Sequence, residues 1–280
     1  MKLVNVGCGQ HISTEWINLD LVSGVRGVTR HDLRQGLPFS ANQCDVVYHS
    51  HLLEHLTPTE ARAFLLDCYR VLRPGGILRV VVPDLEGIAR AYLRSLEASD
   101  QTGNTEDLDW MRIELLDQMV REYSGGTMRS FVDQSNFCNR PFVQSRIGDE
   151  LFPPDKAFRQ RNRKTFVQRL RRFPAKLTKL RRAVILGAVA VLGGRSDYRA
   201  LKEGRFRQSG EIHRWMYDRI SLCCLLGEIG FMEAGPCRPD ESQIPNFEDY
   251  QLDSVGSRIR KPDSLFVEAI KPEKLIAQAA

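Results

Sequence analysis

The chain has 280 residues, 42% of them hydrophobic and 27% charged, enough for one large globular domain or a domain with a sizeable insertion. Its net charge of +5 is unevenly placed: Lys156 to Arg182 holds twelve Lys/Arg and no Asp/Glu, so +5 less 12 leaves the remainder at −7. Seven cysteines, an odd number with no C-x-x-C pair, argue against a disulfide framework or a zinc knuckle and point to a reducing, cytoplasmic setting.

The chain enters an apolar run at Leu3 without a basic leader, so no signal peptide is expected. The longest uncharged apolar run, Ala183 to Leu192, is about half of the roughly 20 residues that a spanning helix needs. Leu3–Val6, Trp16–Leu19, Asp45–Tyr48 and Ile77–Val82 read as strands of a buried parallel sheet, with a weaker run at Val25–Val28. Thr57 and Glu60 form a capping box, Pro58 takes the first helical position, and Ala61, Phe64, Leu65, Cys68, Val71 and Leu72 repeat at helical spacing up to Pro74-Gly75-Gly76. Strand, helix and strand from Asp45 to Val82 therefore predict a βαβ unit.

The rhythm returns at Asp218, which caps a predicted helix carrying Ile220, Cys223, Leu226 and Ile229. Strands at Phe231–Ala234 and Leu265–Ile270 follow. We divide the chain into a core at 1–97, a mostly helical insertion at 98–210 with the basic segment 156–182, and a C-terminal part at 211–280 that completes the same sheet.

Val4-Asn5-Val6-Gly7-Cys8-Gly9 is a strand ending in a Gly-x-Gly turn, where backbone N–H groups approach a ligand closely, although a plain tight turn has the same pattern. Asp20, after Trp16-Ile17-Asn18-Leu19, can accept hydrogen bonds from both ribose hydroxyls. Asp32-Leu33, ending the third strand, can read an adenine edge. A nicotinamide-dependent oxidoreductase would use the same turn, but its fingerprint wants a third glycine where Ile12 stands.

These motifs, with Leu37-Pro38-Phe39, Cys44-Asp45-Val46-Val47-Tyr48, Leu53-Glu54-His55 and Arg70-Val71-Leu72-Arg73-Pro74-Gly75-Gly76, resemble the class I S-adenosylmethionine-dependent methyltransferases of the type-11 group, particularly members associated with saccharide biosynthesis. Ser209 to Asp218 and Lys261 to Leu265 resemble the C-terminal part of the same group. The resemblance implies a Rossmann-like α/β fold, a mostly parallel seven-stranded sheet with helices on both faces and a final antiparallel strand. It also implies S-adenosyl-L-methionine as cofactor, held by Gly7, Cys8, Gly9, Asp20, Leu21, Asp32, Leu33 and Ser50, and a methyl acceptor of saccharide type. The sequence departs from the wider superfamily at Asn5, where an acidic residue is common, and in the six residues Gln10–Glu15, too few for an ordinary crossover helix.

Methyl transfer is an in-line displacement that needs the acceptor held in near-attack geometry, and a hydroxyl acceptor also needs a base. His51, His55 and His213 are the candidates, in a pocket completed by Asp84, with Trp215 and Tyr217 as an aromatic surface for a sugar ring. His49, His51 and His55 superficially suggest a metal cluster; the spacing is unlike the usual form, packed histidines explain it equally, and no metal is expected. The basic segment reads either as a solvated face or, with Phe158, Phe166, Val167, Leu170, Phe173, Leu177 and Leu180 interleaved, as a peripheral contact of residues 156–192 with anionic lipid. No nucleic-acid-binding signature accompanies it. A scaffold that binds the cofactor without turnover is the non-enzymatic alternative.

Overall fold

The computed structural model describes residues 1–21, 24–134, 139–148 and 184–273. Its main sheet is built from β1 (Leu3–Val6), β2 (Ile17–Asp20), β3 (Val28–Arg30), β4 (Cys44–Ser50), β5 (Leu72–Pro83), β6 (Met232–Cys237) and β9 (Ser264–Ile270). Between β6 and β9 lies a small hairpin of β7 (Ser254–Val255) and β8 (Arg258–Ile259). The strand order is β3-β2-β1-β4-β5-β9-β6. The first five strands are parallel, and β9 runs antiparallel to both β5 and β6. This is the expected α/β, Rossmann-like class I arrangement. It places the carboxyl ends of β1, β2, β4 and β5 along one edge, where open α/β sheets bind ligands.

The strands are legible because β1 and much of β4 and β5 are buried on both faces. One face packs on α1 (Pro58–Val71) and α7 (Arg219–Ile229), around Val4, Val47, Phe64, Leu65, Leu222 and Leu226. The other buries Leu3, Trp16, Val46, Tyr48, Val81 and Phe266 under Ile244, Phe247 and Leu252 from the segment joining β6 to β7. Truncating a buried leucine such as Leu65 to alanine is worth about 2–5 kcal/mol in a packing of this kind.

Both caps form as the sequence predicts: Thr57 and Glu60 close a capping box on α1, and Asp218 accepts from the N–H groups of Ile220 and Ser221 on α7. Two boundaries and one buried face differ. α1 ends at Val71, and Leu72 already belongs to β5, so Pro74-Gly75-Gly76 lies at the exposed start of that strand. β3 ends at Arg30, before Asp32. On α7 Leu226 and Ile229 are buried and Cys223 packs on the core, but Ile220 is exposed and Leu222 is buried in addition.

Between β1 and β2 no described residue is helical, in line with the short spacing. Asn5 holds this connection instead. Its side-chain amide donates to the His11 carbonyl at 2.9 Å and to Asn18 Oδ1 at 3.0 Å, and Asn18 donates to the carbonyls of Ser13 and Trp16. An acid at position 5 could make neither of its two donations.

After β5 the chain runs through α2 (Leu85–Thr102), α3 (Glu106–Val120), α4 (Gly126–Val132) and α5 (Arg140–Ile147), packed around Ile88, Trp110, Met111, Val143 and Ile147. α2 continues across position 97. The basic stretch 156–182 lies outside the described residues. Residues 184–192 are helical, with Val191 and Leu192 exposed, and α6 (Gly194–Arg207) follows. No described helix is long and apolar enough to cross a membrane.

Candidate functional site

β1 delivers Gly7 and Gly9 to the ligand-binding edge with φ of 66° and 53°. That left-handed conformation is one glycine adopts at low cost, and a Cβ on Gly7 would also press on Leu52 at 3.1 Å. The turn folds onto β2, since the N–H groups of Gly7 and Cys8 donate to the Leu19 carbonyl and that of Gly9 to Asp20 Oδ2 at 2.8 Å. Burial pushes the Cys8 thiol up to about 11, with the charge of Asp20 adding to it. The glycine turn and the Asp20 carboxylate are therefore adjacent.

Leu21, next to Asp20, is exposed, and Ser50 ends β4 half-buried. Asp32 caps the 3-10 turn Leu33–Gln35, where Arg34 grips its carboxylate with Nη2 at 2.6 Å and holds it down to about 2. Leu33 packs on the core.

The residue after β4 is His51, whose φ of 51° is unusual for a non-glycine residue and stores strain of about 1–2 kcal/mol. Its N–H donates to the Val81 carbonyl, tying it to β5. Its Nδ1 lies 3.2 Å from Glu54 Oε1 and its Nε2 lies 2.9 Å from Ser264 Oγ, at the start of β9. Glu54 follows in the 3-10 turn Leu53–His55 and is fully buried.

A strap from far along the chain closes over this turn. The N–H groups of Arg214 and Trp215 donate to the Glu54 carbonyl, and that of His213 donates to Gln118 O in α3. The strap brings His213 Nε2 to 4.0 Å and leaves His55 Nε2 at 3.9 Å from Glu54 Oε1. The rings of His55 and His213 meet edge to face at 4.9 Å.

The three candidate bases thus surround one carboxylate. Burial pushes the Glu54 carboxyl up, but His51 beside it, followed by His55 and His213, outweighs burial and holds it below the usual range. Burial drives His213 down to about 3, against the pull of Glu54, so His213 is neutral near pH 7 and a weak proton acceptor. His49, by contrast, points into the packing against α1, fully buried and edge-on to Phe64 at 5.1 Å, away from the cluster.

Glu54 was legible in the sequence only as part of a resembling motif, because its burial depends on the distant strap. Asp84 caps α2 and bridges to Tyr217 through the backbone. Trp215 is exposed and available to a ligand, whereas Tyr217 is buried in the core and offers no surface to a sugar. Beside His213, a cleft of about 470 Å³ is lined by Thr57, Met119, Gly204, Arg207, Ile212 and Arg214, among others. A second hollow, of about 260 Å³ between α2, α3 and α5, is remote from this chemistry.

Residues 4–80 match the family model described as a methyltransferase domain. No curated protein sequence matches the chain. Among solved structures, it is similar to an S-adenosylmethionine-dependent methyltransferase from Archaeoglobus fulgidus, at 11% identity over 96% of this chain and 86% of that one, with TM-score 0.37. It is similar to another such enzyme from Mesorhizobium loti, at 19% identity over 31% of this chain and 49% of that one, with TM-score 0.25. A third is phosphoethanolamine N-methyltransferase 2 of Haemonchus contortus in complex with S-adenosyl-L-methionine, at 10% identity over 97% of this chain and 50% of that one, with TM-score 0.34. Nothing about the acceptor is carried over from these similarities.

Proposed function

We propose that this S-adenosylmethionine-dependent methyltransferase moves its methyl group to a hydroxyl oxygen, with His51 as the base and the Glu54 carboxylate beside it stabilising the imidazolium that forms. The observation that carries this reading is the His51–Glu54 contact at the ligand-binding edge, on a backbone strained into the left-handed region. With Nδ1 turned to the carboxylate, Nε2 is the nitrogen left to take a proton. Its neighbour is the Ser264 hydroxyl, which can exchange places with an acceptor hydroxyl or relay to it.

In the reaction the acceptor oxygen attacks the sulfonium methyl carbon in line with the carbon–sulfur bond. That bond breaks, its electron pair returns to sulfur as a neutral thioether, and the acceptor proton passes to His51. Gly7, Cys8 and Gly9 would meet the methionine part of the cofactor, and Asp20 its ribose. For Leu21, Asp32, Leu33 and Ser50 we keep flanking contacts.

We favour a saccharide or related polar metabolite as acceptor, with nitrogen as the second choice. Support comes from the exposed Trp215 and from the cleft beside His213, whose lining includes Thr57, Arg207, Gln208 and Arg214. Contact of residues 156–192 with anionic lipid remains our proposal for bringing a lipid-linked acceptor to the site, and exposed Val184, Val191 and Leu192 support it. Vesicles of anionic lipid should sediment the intact chain, and should fail to sediment one lacking that segment.

The test of the reaction is incubation with labelled S-adenosylmethionine and fractions of host glycans and lipid-linked intermediates. Label should enter one such fraction, and His51→Gln should lower turnover by about 100-fold or more while leaving cofactor affinity near wild type. Asp20→Ala should weaken cofactor binding about ten- to a hundredfold. Label only in protein or RNA would overturn the acceptor, and unchanged turnover in His51→Gln would overturn the base.

A further inference from the structure

We propose that Glu54, His55 and His213 form a binding site for a divalent transition-metal ion such as zinc, cobalt or manganese, next to the acceptor cleft. One donor atom from each lies within 4.8 Å of the other two. Two imidazoles and one carboxylate form a donor set that suits such ions and leaves coordination positions open.

Three further observations point to a cation. Glu54 is completely buried, and neither carboxylate oxygen has a hydrogen-bond donor in line, the His51 contact being close but poorly directed. Among the described residues its ion-pair neighbours are histidines alone. A buried carboxylate without a donor is costly, and a cation between it and the imidazoles would remove that cost.

The tautomer of His55 gives the second observation. Its Nδ1 lies 3.2 Å from the Ile212 carbonyl oxygen, which can only accept, so in the neutral ring, the form that binds a metal, the proton is on Nδ1. Nε2 then carries a lone pair and faces Glu54 at 3.9 Å. Two electron-rich atoms face each other across a gap, and a backbone carbonyl on the far nitrogen is the usual support for a metal-bound histidine.

Size is the third. Donors around a tetrahedral ion at about 2.1 Å stand roughly 3.4 Å apart, so each histidine, at 3.9 and 4.0 Å, would close on the carboxylate by about half an ångström, within a set whose donor atoms all lie within 4.8 Å of one another. His213 also lines the 470 Å³ cleft, which gives an acceptor hydroxyl access to an open position. There the ion would make the hydroxyl more acidic, and the proton would still pass to His51. This role deepens the reading of the same site as a methyltransferase centre and rests on it, whereas the ion site itself is tested without turnover.

The full chain, stripped with a chelator and dialysed, is titrated with Co²⁺ while visible absorption and bound metal are followed, and zinc is then added as competitor. We expect one equivalent of Co²⁺ with the absorption of a low-coordinate nitrogen and oxygen site, displaced by zinc. His55→Ala should bind at least tenfold more weakly. Circular dichroism checks its fold, and Glu54→Gln, nearly isosteric, provides the same loss should His55→Ala unfold. Absence of that absorption, or equal uptake by wild type and both variants, would overturn the site. Cofactor binding measured on the same samples reports separately on the methyltransferase reading.

Discussion

Lowering the pH from 7 to 5 should destabilise the fold by about 2 kcal/mol through one side chain, His49. His49 is completely buried against Phe64, with no partner on either ring nitrogen, and burial lowers it from 6.5 to about 4, against the attraction of Glu54. In the unfolded chain it takes a proton near 6.5, so between the two values the unfolded state binds more protons. The stabilising effect is complete above 6.5 and is lost as pH falls through 4, reaching about 3 kcal/mol there. Denaturant titrations at pH 7 and 5 on wild type and His49→Leu isolate the effect, because His213, also lowered by burial, contributes to both proteins and cancels. The variant should lose about 2 kcal/mol less than wild type over that interval, and should be little destabilised at pH 7 because it removes two unsatisfied polar atoms. Identical pH dependence in the two proteins would refute the argument.

Asn5→Asp should destabilise the chain by about 3 kcal/mol, seen as a fall in Tm, and weaken cofactor binding, because a buried carboxylate replaces the donor that holds the β1–β2 connection. Asp253→Ala should cost on the order of 3 kcal/mol in denaturant titration: Asp253 accepts from Arg79 Nε at 2.7 Å and Tyr48 Oη at 2.6 Å, and Arg79 is wholly buried. A loss under about 1 kcal/mol would show that Glu268, at 2.6 Å, suffices alone. In iodoacetamide labelling at pH 8, exposed Cys224 should react well before Cys8, which is buried and pushed up to about 11. Mass spectrometry reads the order, and reversal would contradict the burial of Cys8.

Legibility followed the range of the forces involved. The β1 and β4 strands and the capped α1 helix are set by neighbours within a few residues, through doubly buried apolar runs and a capping box, so their patterns stand in the local sequence. α7 shows the limit. Ile220, Cys223, Leu225 and Leu226 make Arg219–Ile229 apolar almost all round, so periodicity cannot choose the buried face. Packing against α1 and β6 chooses it, and turns Leu222 inward.

Arg79 makes the same point within a strand. The run Ile77–Val82 reads as buried despite the charge in its middle, and Arg79 is indeed buried because Glu268 stands opposite it in β9 and Asp253 reaches it from the far loop. Two apolar strands carrying opposite charges were the available signal, and only the antiparallel register reveals that they meet. Nothing local to Glu54 signals its burial. In isolation, Leu53-Glu54-His55 is an exposed-looking turn, and the strap carrying His213 to Trp215 makes it a buried centre. The burial of Glu54 therefore depends on how 211–217 docks, and a change that loosened the bonds of Arg214 and Trp215 to the Glu54 carbonyl should expose the carboxylate to water even with every histidine retained.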